Sequence, residues 1–178
     1  MDHGRIIVLS GASGTGKTTL ARTLQERLGK GWLHLEADEF VPSFAPDAGP
    51  DDGAGQTAFV RAMVDAALQW PTHGFDIILD GILPFPESDE DALYTECVRR
   101  MREAGALLIG VTAAPKDVTR RIEERGRGNV EWSLHQLAEL SRLGPVDAWI
   151  DTSADPDEVS SVIDAVVGRV DPGSGGSC

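Results

Sequence analysis

The stretch Ile6 to Leu20, IIVLSGASGTGKTTL, constrains this chain more than any other: an apolar run, a glycine-rich turn, then Lys-Thr-Thr opening a helical pattern. Gly11, Ala12, Ser13, Gly14, Thr15, Gly16, Lys17 and Thr18 satisfy G-x-x-x-x-G-K-[ST] at every fixed position, in the strand-to-helix context the motif requires. Glycines let successive backbone N–H groups turn inward around an anion, and the helix N-terminus adds favourable partial charge. Lys17 supplies a point charge for the β- and γ-phosphates of a nucleoside triphosphate, expected to be ATP. Thr18 offers its hydroxyl to Mg²⁺, and Thr19 extends the binding stretch. The alternative, a glycine turn without a ligand, leaves the full motif and both flanks unexplained.

Five short apolar runs read as strands: Ile6 to Leu9, Trp32 to Leu35, Asp76 to Leu79, Ala106 to Thr112 and Ala148 to Ile150. Helical patterns lie between them, and this alternation specifies an α/β fold, a parallel sheet with helices on both faces. Leu20, Leu24 and Leu28 mark the first helix, which stops at Gly29. A second helix is expected from about Thr57 to Trp70, and a third from about Asp89 to Ala104 with Cys97 on its core stripe as a buried thiol. A basic helix starts at Pro115 and runs to about Arg125. A further pattern covers Val130 to Leu143, and a last helix opens near Asp155-Pro156. One domain over residues 1–170 is expected, with a short lid at about 115–130 and a flexible tail at 171–178. Val41 to Gly55, rich in Pro, Gly and Asp, reads as a long loop suited to binding a substrate.

The formal net charge of −13 argues against a nucleic-acid or anionic-membrane surface, so the expected partner is a small molecule. Two cysteines, Cys97 and Cys178, imply no disulfide framework, and a reducing cytoplasm fits. No stretch approaches the roughly 18 apolar residues of a membrane span. The oligomeric state is not legible.

In an open parallel sheet, ligands gather beyond the carboxyl ends of the strands, where Asp38 follows the second strand and Asp80 the third. Phosphoryl transfer needs both a metal ligand and a group to take the acceptor proton. Asp38 leads into the long loop and is assigned as general base, with Asp80 in the metal shell. The swapped assignment stays open, as do a helix cap for Asp38 and an Asp-Gly turn for Asp80. Arg121 and Arg125, four apart on the basic helix, project from one face and can clamp the transferring phosphoryl group. Gly126 and Gly128 can hinge that lid; a solvated basic helix is the alternative. The four histidines show no i, i+4 pair, which speaks against a metal site made of protein side chains alone. Ser13 has no nucleophile elbow around it.

The strand and P-loop, WLHLEADEF ending its step at Asp38, FDIILDGIL, RRIEERGRG and the closing VDAWIDTSADPDEVSSVI together resemble the chloramphenicol phosphotransferase family of small P-loop kinases. The resemblance implies a three-layer P-loop NTPase fold with strand order 2-3-1-4-5. It implies ATP- and Mg²⁺-dependent phosphorylation of a hydroxyl on a small, chloramphenicol-like antibiotic, with Asp38 as base and Arg121 and Arg125 as lid arginines. It also places Thr152 and Ser153 beside adenine. Between Glu39 and Gly55 the chain departs from the family pattern, so the drug does not carry over with the reaction. Phe40, Phe44, Phe85 and Trp70 are candidates to wall an apolar acceptor pocket. A metabolic kinase of the gluconate or shikimate type needs a cationic group for the substrate carboxylate outside the lid, and Val41 to Gly55 offers none. A nucleotide-dependent switch needs a docking feature that the sequence does not display.

Overall fold

Each apolar run forms a strand in the computed structural model, and every pairing is parallel. The strands are β1 (Ile6–Ser10), β2 (Trp32–Glu36), β3 (Asp76–Asp80), β4 (Leu107–Thr112) and β5 (Ala148–Asp151), in the order β2-β3-β1-β4-β5. The helices are α1 (Lys17–Leu28), α2 (Gly53–Thr72), α3 (Ala92–Glu103), α4 (Pro115–Arg125), α5 (Val130–Ala138) and α6 (Pro156–Val170). The structure describes residues 3–29, 31–39, 53–81, 83–86 and 91–170, apart from the side chains of Asp38 and Ala54. Residues 41–52 of the expected loop, Phe40, Phe44 and the tail at 171–178 lie outside them.

Alternation along the strands divides the core into two layers. Ile7, Leu9, Ile78, Ile109, Val111 and Ile150 face α1 and α6, meeting Leu20, Leu24, Ile163 and Val166. Ile6, Val8, Ile77, Leu79 and Leu108 face α2 and α3, meeting Val64, Tyr94, Cys97 and Met101. β1 is central and buried along its whole length, so the glycine turn that follows it emerges from a rigid base.

Three element boundaries differ from the sequence reading. α2 begins at Gly53, ahead of the expected Thr57, so Gly53 to Gly55 belong to a helix. α3 begins at Ala92 because the Asp91 carboxylate accepts from the Tyr94 backbone N–H at 2.9 Å and caps it there. The pattern from Val130 to Leu143 is two pieces, α5 and a 3₁₀ turn over Leu140–Leu143 that closes at Gly144 with φ 66°. Among the described residues, no helix is long and apolar enough to cross a membrane.

Candidate active site

At the carboxyl edge of the sheet the phosphate loop bends tightly enough that side chains are excluded from it. Gly16 caps α1 at φ 91°, and a Cβ on Gly11 would sit 2.2 Å from the Val111 carbonyl oxygen. No side chain caps α1, and its first turn holds no acidic residue. Its partial positive charge and unsatisfied N–H groups therefore remain available to an anion. Thr15, fully buried, donates its hydroxyl to the Ala12 carbonyl at 2.8 Å and holds the loop closed from inside. Lys17 Nζ donates to the carbonyls of Gly11 and Ala12 at 3.2 and 3.1 Å, lying across the loop. Gly11, Ser13, Gly14, Gly16, Lys17, Thr18 and Thr19 all line one cleft of about 1000 Å³. Ala12 and Thr15 sit behind its wall.

The register of β2 and β3 pairs Glu36 with Asp80 at the cleft floor. The Thr18 hydroxyl lies 2.7 Å from Asp80 Oδ2 and 3.2 Å from Glu36 Oε1, facing both acceptors. Asp80 is 2 % exposed. Burial pushes its carboxyl up, but His34 beside it, the Lys17 charge and the Thr18 hydroxyl outweigh that and hold it below the usual carboxylate range. Asp80 is thus an anion in the floor of a phosphate site, and with the Thr18 hydroxyl it forms a donor set suited to a divalent cation. His34 Nε2 approaches Asp80 Oδ2 to 3.6 Å. Among the described residues, one ligand atom each from His34, Glu36 and Asp80 lies within 4.8 Å of the others. Helical histidine spacing does not reveal this group; its legible signal is His34 and Glu36 two apart on a strand, hence on one face. Asp38 lies in a 3₁₀ turn, Ala37–Glu39, directly after β2, with its side chain outside the described residues.

Over the nucleotide side, Val118 and Ile122 of α4 pack with Val130, Leu134 and Leu137 around a small core separate from the sheet. Arg121 reaches from α4 to the Thr152 hydroxyl at 2.8 Å, the Thr152 carbonyl at 3.2 Å and the Gly14 carbonyl at 3.3 Å. The Thr152 hydroxyl in turn donates to the Thr15 carbonyl at 2.7 Å. Ser153 Oγ accepts from the Ala114 N–H at 2.9 Å, where α4 begins. Thr152 and Ser153 thus brace the phosphate loop and α4 and do not line the cleft, whereas Arg121 and Arg125 do. Arg120 is the solvated member, paired with Asp117 and Glu124 at 3.2 Å each. Leu83, Pro84 and Phe85 make an apolar wall after β3, and Arg22, one turn beyond Thr18 on α1, lines the same cleft. Trp70 does not belong here: it stacks edge-on against Phe75 with centroids 5.5 Å apart, just before β3, at the opposite edge of the sheet.

The family model for chloramphenicol phosphotransferase-like proteins matches residues 4–167. A bifunctional ribose 1,5-bisphosphokinase-thymidine phosphorylase of Roseobacter denitrificans is 27% identical over 186 residues, covering 94% of this chain and 27% of the relative. This chain therefore spans about a quarter of that relative's length. The ribose 1,5-bisphosphate phosphokinase of Achromobacter xylosoxidans is 29% identical over 154 residues, covering 82% of this chain and 80% of the relative. The fold is shared with the Mycobacterium tuberculosis APS kinase solved with AMPPNP and APS, at TM-score 0.63 and 18% identity over 93% of this chain and 99% of that one. With its phosphate loop, its sheet order and a match that runs through nearly every element, this chain belongs to the chloramphenicol phosphotransferase-like family, on a P-loop kinase fold.

Proposed function

We propose that the protein is a P-loop kinase that transfers the γ-phosphoryl group of ATP, with a divalent cation, to a hydroxyl of a small acceptor held against Leu83, Pro84 and Phe85. The observation that carries this reading is the Thr18–Asp80–Glu36 cluster lying directly below an uncapped phosphate-loop helix in one open cleft. In this mechanism backbone N–H groups and Lys17 neutralise the β- and γ-phosphates while Thr18 and Asp80 hold the cation, Mg²⁺ being the ion the family resemblance implies. A cation held by Thr18 and Asp80 would offset negative charge on the phosphate oxygens. Arg125, on the exposed face of α4, meets the charge that develops on the transferring group, and Arg121 fixes α4 against the loop. Asp38, directly after β2, takes the acceptor proton. Closure of α4 and α5 excludes water and limits wasteful hydrolysis.

The family description supports a chloramphenicol-like antibiotic as acceptor. One observation favours an anionic metabolite instead: Arg22, a cation outside the lid, lines the cleft. This is the group that the loop from Val41 to Gly55 does not supply. The names of the two sugar-bisphosphate kinase relatives point the same way.

The deciding experiment is ATP consumption against a panel of hydroxylated antibiotics, sugars, sugar phosphates and hydroxy acids, with mass spectrometry for an adduct of about 80 Da, one phosphoryl group. An adduct on chloramphenicol supports the antibiotic reading, and one confined to sugar phosphates or hydroxy acids supports the metabolic reading. Absence of any adduct, with ATP bound, defeats the kinase reading and leaves a nucleotide-dependent switch. Asp38→Asn is expected to keep ATP binding and lose most turnover; full activity in that variant removes Asp38 as base.

A further inference from the structure

His34 is the unexplained group in this site. Among the described residues its Nε2 is the buried side-chain polar atom that has no hydrogen-bond partner. A buried ring nitrogen without a hydrogen-bond partner is costly unless something meets it. The atom is directed at Asp80 Oδ2, 3.6 Å away, and the same small volume receives Glu36 and the Thr18 hydroxyl. Those positions follow from the sheet: His34 and Glu36 share one face of β2, and the register sets Glu36 beside Asp80. The ligand atoms of the three residues lie within 4.8 Å of one another.

We propose that His34 Nε2, Glu36, Asp80 and the Thr18 hydroxyl form one nitrogen-and-oxygen cation site, which binds Mn²⁺ ahead of the nucleotide and in preference to Mg²⁺. The inference deepens the cation part of the kinase reading and rests on it. A P-loop kinase whose cation is held by one hydroxyl, water and phosphate oxygens needs the nucleotide to complete the shell. Here two carboxylates and an imidazole stand together without it. Mg²⁺ demands oxygen donors and releases water reluctantly, whereas first-row transition ions accept imidazole; Mn²⁺ is the one of them that also favours carboxylates, so a nitrogen beside two carboxylates disfavours Mg²⁺ relative to Mn²⁺. Thr18, Glu36 and Asp80 also line the phosphate cleft, which places the ion within reach of the phosphate loop.

The test is Mn²⁺ titration of the full chain without nucleotide, followed by electron paramagnetic resonance, with ¹⁴N modulation of the bound signal as the readout of imidazole. One Mn²⁺ per chain is expected, with ¹⁴N coupling, and displacement by Mg²⁺ only at roughly tenfold or greater excess. His34→Ala and His34→Gln are both expected to weaken binding by roughly tenfold or more. Glutamine can still donate a hydrogen bond to Asp80, so wild-type binding in His34→Gln would make His34 a positioning residue and overturn the proposal. So would a bound signal without ¹⁴N coupling, or no binding until nucleotide is added; both are read on the unsubstituted chain and do not depend on how the variants fold. AMPPNP binding is titrated separately, so a chain that takes Mn²⁺ with ¹⁴N coupling but no nucleotide sinks the kinase reading while leaving the cation site.

Discussion

The Tyr94 hydroxyl donates to the Leu143 carbonyl at 2.7 Å, joining α3 to the 3₁₀ turn after α5 in a buried contact. Burial pushes this phenol up to about 12. A folded-state value above the unfolded one, about 10, contributes stability that is complete below the unfolded value and is lost as pH rises towards the folded one. Denaturant midpoints are therefore expected to fall between about pH 10 and 12 more steeply than in Tyr94→Phe, by up to roughly 1.4 kcal/mol per unit. Equal slopes would show that the phenol ionises as freely folded as unfolded. Cys97 follows the same logic, since burial pushes its thiol up to about 11. Its alkylation in the native protein is expected to be slow and to accelerate only on unfolding. At Lys17, substitution by alanine removes a side-chain cation lying across the loop. ATP affinity measured by calorimetry is expected to fall by roughly 100-fold or more, the scale of a charge-assisted hydrogen bond to phosphate.

Among the elements, the phosphate loop and α4 stabilise each other through Arg121 and Thr152. Arg121→Met removes one hydrogen bond from α4 to Gly14 of the loop and two to Thr152, which itself holds the loop at Thr15. Faster amide exchange is expected in residues 12–16 and in α4, with the strands unchanged, and a stability loss of about 1–3 kcal/mol. Exchange unchanged in both elements would make Arg121 a free clamp instead of a brace. Gly11→Ala tests the loop from behind: with a Cβ 2.2 Å from the Val111 carbonyl, either β4 or the loop must move. Loss of ATP binding is expected with the strand register preserved, since the collision lies at the loop's root.

On the scale of the whole molecule, the cleft is walled by the sheet edge, α1 and the separately packed α4 and α5. A ligand bridging these parts is linked to folding of all of them. AMPPNP with Mn²⁺ at 100 times its dissociation constant is expected to add about 2.7 kcal/mol and raise Tm in a concentration-dependent way. A Tm unmoved at saturation would place the nucleotide outside the folded cleft.

The α/β class and the strand cores are legible because a buried parallel strand is a short apolar run, and the five strands lie within about one residue of those runs. The phosphate loop is legible because its glycines and lysine are contiguous. Strand order comes from the family resemblance, since crossover topology leaves no local pattern. The helix start at Ala92 escapes the sequence reading because the Asp91 cap sets it, and the start at Gly53 escapes because glycine-rich composition marks a loop. Trp70 reads as a candidate for the acceptor pocket because an aromatic residue shows its size in sequence but not which edge of the sheet it sits on. His34, Glu36 and Asp80 become one site only through the pairing of β2 with β3, which sets residues 44 apart side by side. The sequence by itself determined the anion cradle, a local backbone property. Tertiary structure alone decided which carboxylates and which imidazole stand beneath it, because sheet register is a relation between distant segments that neither one encodes.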